Sequence, residues 1–226
     1  MGIFISSIFG SASIGVFSLL TDHLFIVPSL APETRMEKLG EQLKVKIVFT
    51  TIGYSLLIGA LACGNSKGLI FPHFVREEEL QPICSVTDKN DVNITVMETK
   101  RTAYGNIVLA NDFGAIVAPR VNPETLKLIS DTLGVEAVHG EIAGLPYVGS
   151  LASATNRGVL AHPLIKDEEK ELLKSVLRVP VEVGTVNCGI PYVKTGLLGN
   201  SYGAVAGLLT TGPELFIIES ALDLVE

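Results

Sequence analysis

The chain of 226 residues has no tryptophan and only three cysteines. Cys63, Cys84 and Cys188 are widely spaced and form no C-x-x-C pair, so neither a disulfide framework nor a zinc site is indicated. Charged residues make up 18% and the formal net charge is -7, which excludes a protein that binds nucleic acid mainly by neutralising phosphates. We expect a cytoplasmic protein that needs no metal or cofactor and does not bind DNA.

The first charged residue is Asp22, so the apolar start of the chain resembles a membrane segment. It has no basic flank, and serine and glycine interrupt it every few residues. A β-strand accounts for this stretch better than a signal peptide or a membrane span does. The sequence therefore predicts no membrane partner.

Glycine is abundant, with 22 residues, and it recurs at a fixed period. Four turn glycines are separated by 46, 44 and 45 residues, and a step of 45 back from the first reaches His23. A second glycine lies nine residues before the first three of the four, and eight before His23. The two sets are Gly68, Gly114, Gly158 and Gly203, and Gly59, Gly105 and Gly149 with Gly15; the fifth repeat has Lys194 at the second position. These landmarks predict five repeats of about 45 residues in one domain.

Each repeat reads as a ββαβ unit. The first two strands form a hairpin such as GALACG and LIFP, whose turn glycine we expect to adopt a positive φ. An amphipathic helix follows, with apolar stripes such as Met36, Leu39 and Leu43. Pro82 is expected to end the second helix early. Third strands are VKIVFT, VNITVME, VEAVHG and VEVGTV.

The fifth repeat has no third strand of its own before the chain stops at Glu226. The N-terminal residues IFISSI supply one, and their pairing into the last repeat closes a ring without open ends. We therefore predict an α/β fold of cyclic five-fold pseudosymmetry, a β/α propeller. Its approximate repeats are 11–53, 54–101, 102–144, 145–189 and 190–226, with the N-terminal strand in 1–10.

Several motifs together resemble the archaeal translation initiation factor 6 family, whose fold is called a pentein. They are SIGVF, CGNSKGLIFP, TAYGNIVLANDFGAIVAPRVNPET, VGSLASATNRGVLAHPL, VPVEVGTVNCG and TTGPELFIIESAL, and the resemblance covers nearly the whole chain. It implies a monomeric, non-enzymatic factor on the intersubunit face of the large (50S) ribosomal subunit. There it blocks joining of the small subunit and is linked to large-subunit maturation. The implied partners are basic ribosomal proteins near the sarcin-ricin loop, with local contact to ribosomal RNA.

The predicted ring has two faces, one with the hairpin turns and one with the loops that lead into each first strand. The resemblance at AYGN favours the second face as the ribosome-binding surface. Its candidate residues are Gly15, Gly59, Ala60, Tyr104, Gly105, Asn106, Gly149, Ser150 and Lys194. Small side chains there permit close approach of a partner's backbone, and Asn106 offers donors and acceptors.

Two other functions stay open on the sequence. Pentein enzymes act on guanidino groups through a cysteine, a histidine and carboxylates, so Cys188 with His139 or His162 defines a hydrolase or amidinotransferase alternative. A scaffold that binds another basic protein through the same face is the second. The histidines show no metal-ligand spacing.

Overall fold

A computed structural model describes residues 2–87 and 92–224 of the chain. It contains five sheets of three strands each. The first strands are β2 (Leu19–Leu20), β5 (Cys63–Gly64), β8 (Val108–Ala110), β11 (Ala152–Ala154) and β14 (Leu197–Asn200). The middle strands are β3 (Leu24–Pro28), β6 (Gly68–Pro72), β9 (Gly114–Val117), β12 (Val159–Ala161) and β15 (Gly203–Gly207). The third strands are β4 (Lys46–Thr50), β7 (Asn93–Met97), β10 (Glu136–His139), β13 (Val181–Val183) and β1 (Gly2–Ser6).

Every sheet has the same topology. The first strand is antiparallel to the middle strand, and the third strand is parallel to it. The helix that follows each middle strand is here called the crossover helix; in four sheets it leads to the parallel third strand, and in the fifth that strand is the N-terminal β1. The first strands of the five sheets surround a central channel, so the third strands lie on the outer rim.

The N-terminal strand closes the ring. β1 pairs in parallel with β15, from Gly2 opposite Gly203 to Ser6 opposite Gly207. This confirms the closure predicted from the missing third strand and the fold class that rests on it. Met1 of the predicted strand and residues 225–226 of the predicted fifth repeat lie outside the described residues.

The crossover helices follow the predicted segments closely. They are α2 (Glu33–Leu43), α4 (Glu77–Val86), α6 (Pro123–Leu133), α8 (Asp167–Leu177) and α10 (Gly212–Ala221). The stripe of Met36, Leu39 and Leu43 is buried, as its spacing predicts. The expected early end at Pro82 is wrong, because α4 continues to Val86 and buries Ile83 one residue beyond the proline. Within the described residues no helix is long and apolar enough to cross a membrane.

A short helix precedes each first strand, and the sequence analysis did not predict it. These helices are α1 (Ile14–Phe17), α3 (Ile58–Leu61), α5 (Tyr104–Ile107), α7 (Val148–Leu151) and α9 (Val193–Gly196). In the segment GALACG, Gly59 and Ala60 are therefore helical and only Cys63 and Gly64 are extended. Four residues are too few for a helical period to show, and apolar residues fit a strand equally well.

The core is divided into five clusters, each of which joins neighbouring repeats. One cluster packs Cys63, Ile70 and Met97 of the second repeat against Tyr104 and Ile129 of the third. Each repeat thus buries its apolar surface against its neighbours, as repeat architectures do. The ring is held together at five equivalent seams.

The hairpin glycines are required for a reason other than the predicted one. Gly68, Gly114 and Gly158 do not have positive φ, so that expectation is wrong. A Cβ atom at each would overlap a carbonyl oxygen in the last turn of the next repeat's crossover helix, those of Thr132, Val176 and Ala221 respectively. These glycines permit the close approach of neighbouring repeats.

Candidate functional site

The loops between each third strand and the next short helix lie on one face of the ring, here called the loop face. Four of them are tight turns closed by an antiparallel bridge, such as Ile52 with Ser55. Their central residues have positive φ: Phe9 and Gly10, Gly53 and Tyr54, Ala143 and Gly144, Cys188 and Gly189. The loop face is therefore made of defined turns that present side chains from fixed positions.

Three glutamates hold these turns from below. Glu79 accepts hydrogen bonds from the amides of Gly53 and Tyr54 at 2.6 and 2.7 Å, and Glu169 and Glu214 do the same for the turns at 143–144 and 188–189. Burial alone would raise the pKa of Glu214, but bonds from Thr211, Gly189 and Thr185 outweigh it and lower that pKa to about 2. These carboxylates bind the backbone amides of three of the four turns and so hold the loop face in a fixed conformation.

The short helices form a tight inner ring beneath the loop face. A Cβ atom at Gly59 would overlap the carbonyl oxygen of Gly15, and one at Gly105 would overlap that of Gly59. The same relation links Gly149 to Gly105 and Gly15 to Lys194. Neighbouring repeats therefore touch backbone to backbone around the ring axis.

Lys194 takes the fifth position of this inner ring and closes one end of the central channel. Its ammonium group donates to the carbonyl oxygen of Gly105, two repeats away, at 3.0 Å. Burial lowers the pKa of this lysine, against the opposing effect of Cys63. Burial also raises the pKa of the Cys63 thiol to about 12, although Lys194 acts to lower it. The cavity beside Lys194 and the first strands has a volume of about 50 Å³.

The hairpin turns form the opposite, or turn, face, where polar side chains close the channel. Asn156 donates its amide to the carboxylates of both Asp22 and Asp112, at 2.9 and 2.6 Å. Asn111 donates to the carbonyls of Thr155 and Leu177 in the next repeat, at 3.0 and 2.8 Å. Side chains thus join the third repeat to the fourth, and Asn156 also reaches across the channel to the first repeat.

The residues matched by known proteins extend over almost the whole ring. The profile of the eIF-6 family matches residues 3–221. The chain belongs to the eIF-6 family. It is 42% identical over 217 residues to translation initiation factor 6 of Pyrococcus abyssi, covering 95% of this chain and 96% of that protein. It is also 42% identical over 219 residues to translation initiation factor 6 of Methanocaldococcus jannaschii, covering 96% of each.

Among solved structures, the ring is similar to the N-terminal domain of ArgZ, a cyanobacterial arginine dihydrolase. The TM-score is 0.44 at 10% identity, over 66% of this chain and 62% of that one. Independently of that likeness, the closed ring of five like sheets in an eIF-6 family chain is the pentein fold expected from the family resemblance.

Most of the predicted contact residues of this eIF-6 family chain lie below the loop face. Gly15, Gly59, Tyr104, Gly105, Gly149 and Ser150 are buried, whereas Ala60, Asn106 and Lys194 are partly exposed. The expectation that the small residues admit a partner's backbone therefore needs correction, because they admit the backbone of the neighbouring repeat. Of the predicted set, Asn106 is a polar side chain that is partly exposed.

Exposed aromatic and aliphatic side chains on the loop face were missed by the sequence analysis. Tyr54 is 64% exposed and Tyr147 is 51% exposed. Phe9, Leu57, Leu145, Ile190 and Tyr192 are exposed as well. The guanidinium of Arg76 lies 4.0 Å from the centre of the Tyr54 ring. Each of these side chains lies within four residues of a tight turn, and this recurring position could have identified them in the sequence. It was not used because the turns themselves were not predicted.

The backbone amide of Cys188 and one ring nitrogen of each candidate histidine have partners within the chain, whereas the Cys188 side chain is free and exposed. The amide of Cys188 donates to Glu214 at 3.1 Å, and Nδ1 of His162 accepts from the amide of Leu164 at 3.1 Å. A ring nitrogen of His139 lies 3.1 Å from the carbonyl oxygen of Ala118. In the part of the chain that the structure describes, no group of His, Cys, Asp or Glu side chains is arranged to hold a metal ion.

Proposed function

We propose that this eIF-6 family chain binds the large ribosomal subunit on its intersubunit face and sterically prevents the small subunit from joining. The translation initiation factor 6 relatives support the translation role, and they match 95% or more of this chain. A rigid ring at an intersubunit contact needs no chemistry, because occupancy alone blocks the second partner. We extend the proposal to a cytoplasmic, monomeric protein with a part in large-subunit maturation, and to the five repeats at the boundaries given above.

The exposed apolar side chains of the loop face are the reason to propose this face as the ribosome-binding surface. Tyrosine and phenylalanine are enriched in interface cores, and Tyr54 and Tyr147 are exposed on or beside turns with fixed backbones. A preorganised surface loses little conformational entropy on binding. We propose that Tyr54, Tyr147 and Tyr192, with Asn106 beside them, contact basic ribosomal proteins near the sarcin-ricin loop.

Ribosomal RNA would contribute locally in this proposal. The net charge of -7 opposes broad phosphate binding, so contacts with RNA would come from single exposed residues such as Arg101 and Arg120. Basic proteins fit the acidic chain better.

The test is co-sedimentation with large subunits from a related archaeon, followed by addition of small subunits to score joining. The wild type should travel with the large subunit and reduce joined ribosomes. Tyr147→Ser should weaken binding by about tenfold, as expected for loss of an interface aromatic. Tyr202→Ser removes an exposed tyrosine from the turn face and should bind as the wild type does.

Two results would reject the proposal. If the wild type stays at the top of the gradient and joining is unaffected, the ribosomal function is wrong. If Tyr202→Ser weakens binding and Tyr147→Ser does not, the function stands and the proposed face is wrong.

The enzyme alternative has less support. The channel beside Lys194 holds about 50 Å³, room for a few water molecules and not for an arginine-like substrate. Release of ammonia or urea from arginine would nevertheless decide the question directly, and Cys188→Ala would have to abolish it.

A further inference from the structure

A groove with a volume of about 570 Å³ follows the outer rim at the seam where the ring closes. Residues 3 to 7, from β1 and the residue after it, form one side, and α2 forms the other with Arg35, Lys38 and Gln42. Side chains alternate between the two faces of a strand, so a groove on one face would be lined by every second residue. Because consecutive residues of β1 line this groove, it runs along the edge of the strand. The groove therefore lies where a further strand would pair.

The outer edge of β1 has open backbone groups. β1 is the edge strand of its sheet and pairs only with β15, so alternate residues direct their N–H and C=O groups into the groove. Across the described residues, no hydrogen bond from an element other than β15 reaches the backbone of Gly2–Ser6. At the rim strand β4, by comparison, side chains bond to the neighbouring helix α4. The Lys46 ammonium group donates to the carbonyl of Val86, and the Thr50 hydroxyl donates to that of Glu79.

Apolar side chains lie exposed beside this edge. Ile5 on β1 is 54% exposed, and Leu208, which lines the groove, and Leu209 are exposed as well. Every second side chain of an added strand would lie on the Ile5 side of the sheet. The occupant should therefore be apolar at alternate positions.

The charge of the groove indicates which residues the occupant should carry between its apolar ones. Arg35 and Lys38 are exposed and take part in no ion pair in the described ranges 2–87 and 92–224. The acidic residues Glu37 and Glu41 of the same helix line a different groove, on its other side. The wall that faces β1 is thus basic in a chain of net charge -7. A second copy of the chain would bring its own Arg35 and Lys38 to this wall, so charge disfavours self-pairing.

We propose that the outer edge of β1 accepts an extended peptide segment of another protein as a fourth strand of the sheet. The segment alternates apolar and acidic residues: the apolar ones cover Ile5 and Leu208, and the acidic ones pair with Arg35 and Lys38. This mode combines main-chain hydrogen bonds with side-chain selection. The surface lies on the rim, so this interaction is separate from the function proposed for the loop face.

The probe is a fluorescein-labelled octapeptide that alternates valine and glutamate, measured by fluorescence anisotropy with the purified chain alone. Saturable binding is expected at a Kd on the order of 100 µM, typical of a short peptide with few contacts. The double variant Arg35→Glu, Lys38→Glu should bind at least about tenfold more weakly and should instead bind a valine–lysine octapeptide. Lys127→Glu, on an exposed position of α6, is the matched control and should leave binding unchanged.

Backbone N-methylation tests strand addition itself. Methylation of one alternate set of peptide nitrogens should abolish binding and methylation of the other set should not, because only one set faces β1. The proposal is overturned if both methylated peptides bind equally well. It is also overturned if no binding is seen at 1 mM, about ten times the expected Kd, or if the charge-reversed variant has an unchanged Kd. Self-association of the chain that is lost in Ile5→Lys would do the same, because a second copy would then occupy the edge.

Discussion

The two ends of the central channel are closed by different kinds of contact. At the loop-face end, Gly15, Gly59, Gly105 and Gly149 bring backbones of neighbouring repeats together, and the Lys194 side chain crosses the axis. At the turn-face end, neighbours are joined by side-chain hydrogen bonds of residues such as Asn111 and Asn156. Backbone contacts and one lysine side chain close the loop-face end, whereas side-chain hydrogen bonds close the turn-face end.

The difference explains which landmarks repeat along the sequence. Where the backbone of a neighbouring repeat fills the space of a Cβ atom, glycine is favoured, so glycine occupies four of the five loop-face positions at intervals of 44 to 46 residues. A side-chain hydrogen bond has several chemical solutions. The turn-face position of Asn65, Asn111 and Asn200 is threonine at residues 21 and 155, where the hydroxyl still accepts the local turn amides.

The largest effect should come from adding a Cβ atom at the loop-face end. Gly59→Ala places that atom against the carbonyl oxygens of Gly15 and Ser18, which belong to the backbone and cannot rotate away. We expect a loss of more than about 3 kcal/mol in the free energy of unfolding, measured by urea titration. Gly212→Ala, where nothing lies within 4 Å, should leave stability unchanged or raise it. Equal stability of both variants would show that the inner ring adapts.

A smaller effect is expected at the turn-face end. Asn111→Thr keeps the local turn bonds, as Thr155 does, but loses the two amide bonds to the carbonyls of Thr155 and Leu177. We expect a loss of about 1–3 kcal/mol in the free energy of unfolding. The reverse change, Thr155→Asn, offers the same two bonds to the next repeat and should lose nothing. A loss in both variants would mean that the turns are not interchangeable between repeats.

Most of the fold could be predicted because the repeat restates the same constraint five times. The glycine spacing, the stripe around Met36 and the missing last strand each follow from residue types, and the structure confirms the elements they predict. The short helices could not be predicted, since four residues give no period. The reason for the hairpin glycines was wrong because a close approach between repeats is a tertiary property.

The candidate site was harder to predict than the fold. Sequence reasoning selected positions such as Tyr104 and Gly105 by family resemblance, and the structure buries them. Tyr54 and Tyr147 were missed because an exposed tyrosine and a core tyrosine look alike in a sequence. Their exposure depends on turns that Glu79 and Glu169 hold from positions 25 or 26 residues further along the chain.

The smallest effect should follow from removing the lysine at the loop-face end. Lys194→Met keeps a similar side-chain volume and removes a buried ammonium group. In other proteins the replacement of buried charged groups by apolar ones often has little effect on stability, so the free energy of unfolding at pH 7 should change by less than about 1 kcal/mol. The pH dependence is more informative than the size. Because burial lowers the folded-state pKa of Lys194, the unfolded chain binds more protons between that pKa and 10.5, and the wild type gains stability as pH rises through this window. The methionine variant lacks this gain, so any advantage it has at pH 7 should shrink at pH 9.5.

A constant difference between the two urea titrations would show that the ammonium group is solvated in the channel. The two ends of the channel would then differ less than the hydrogen bond to Gly105 indicates.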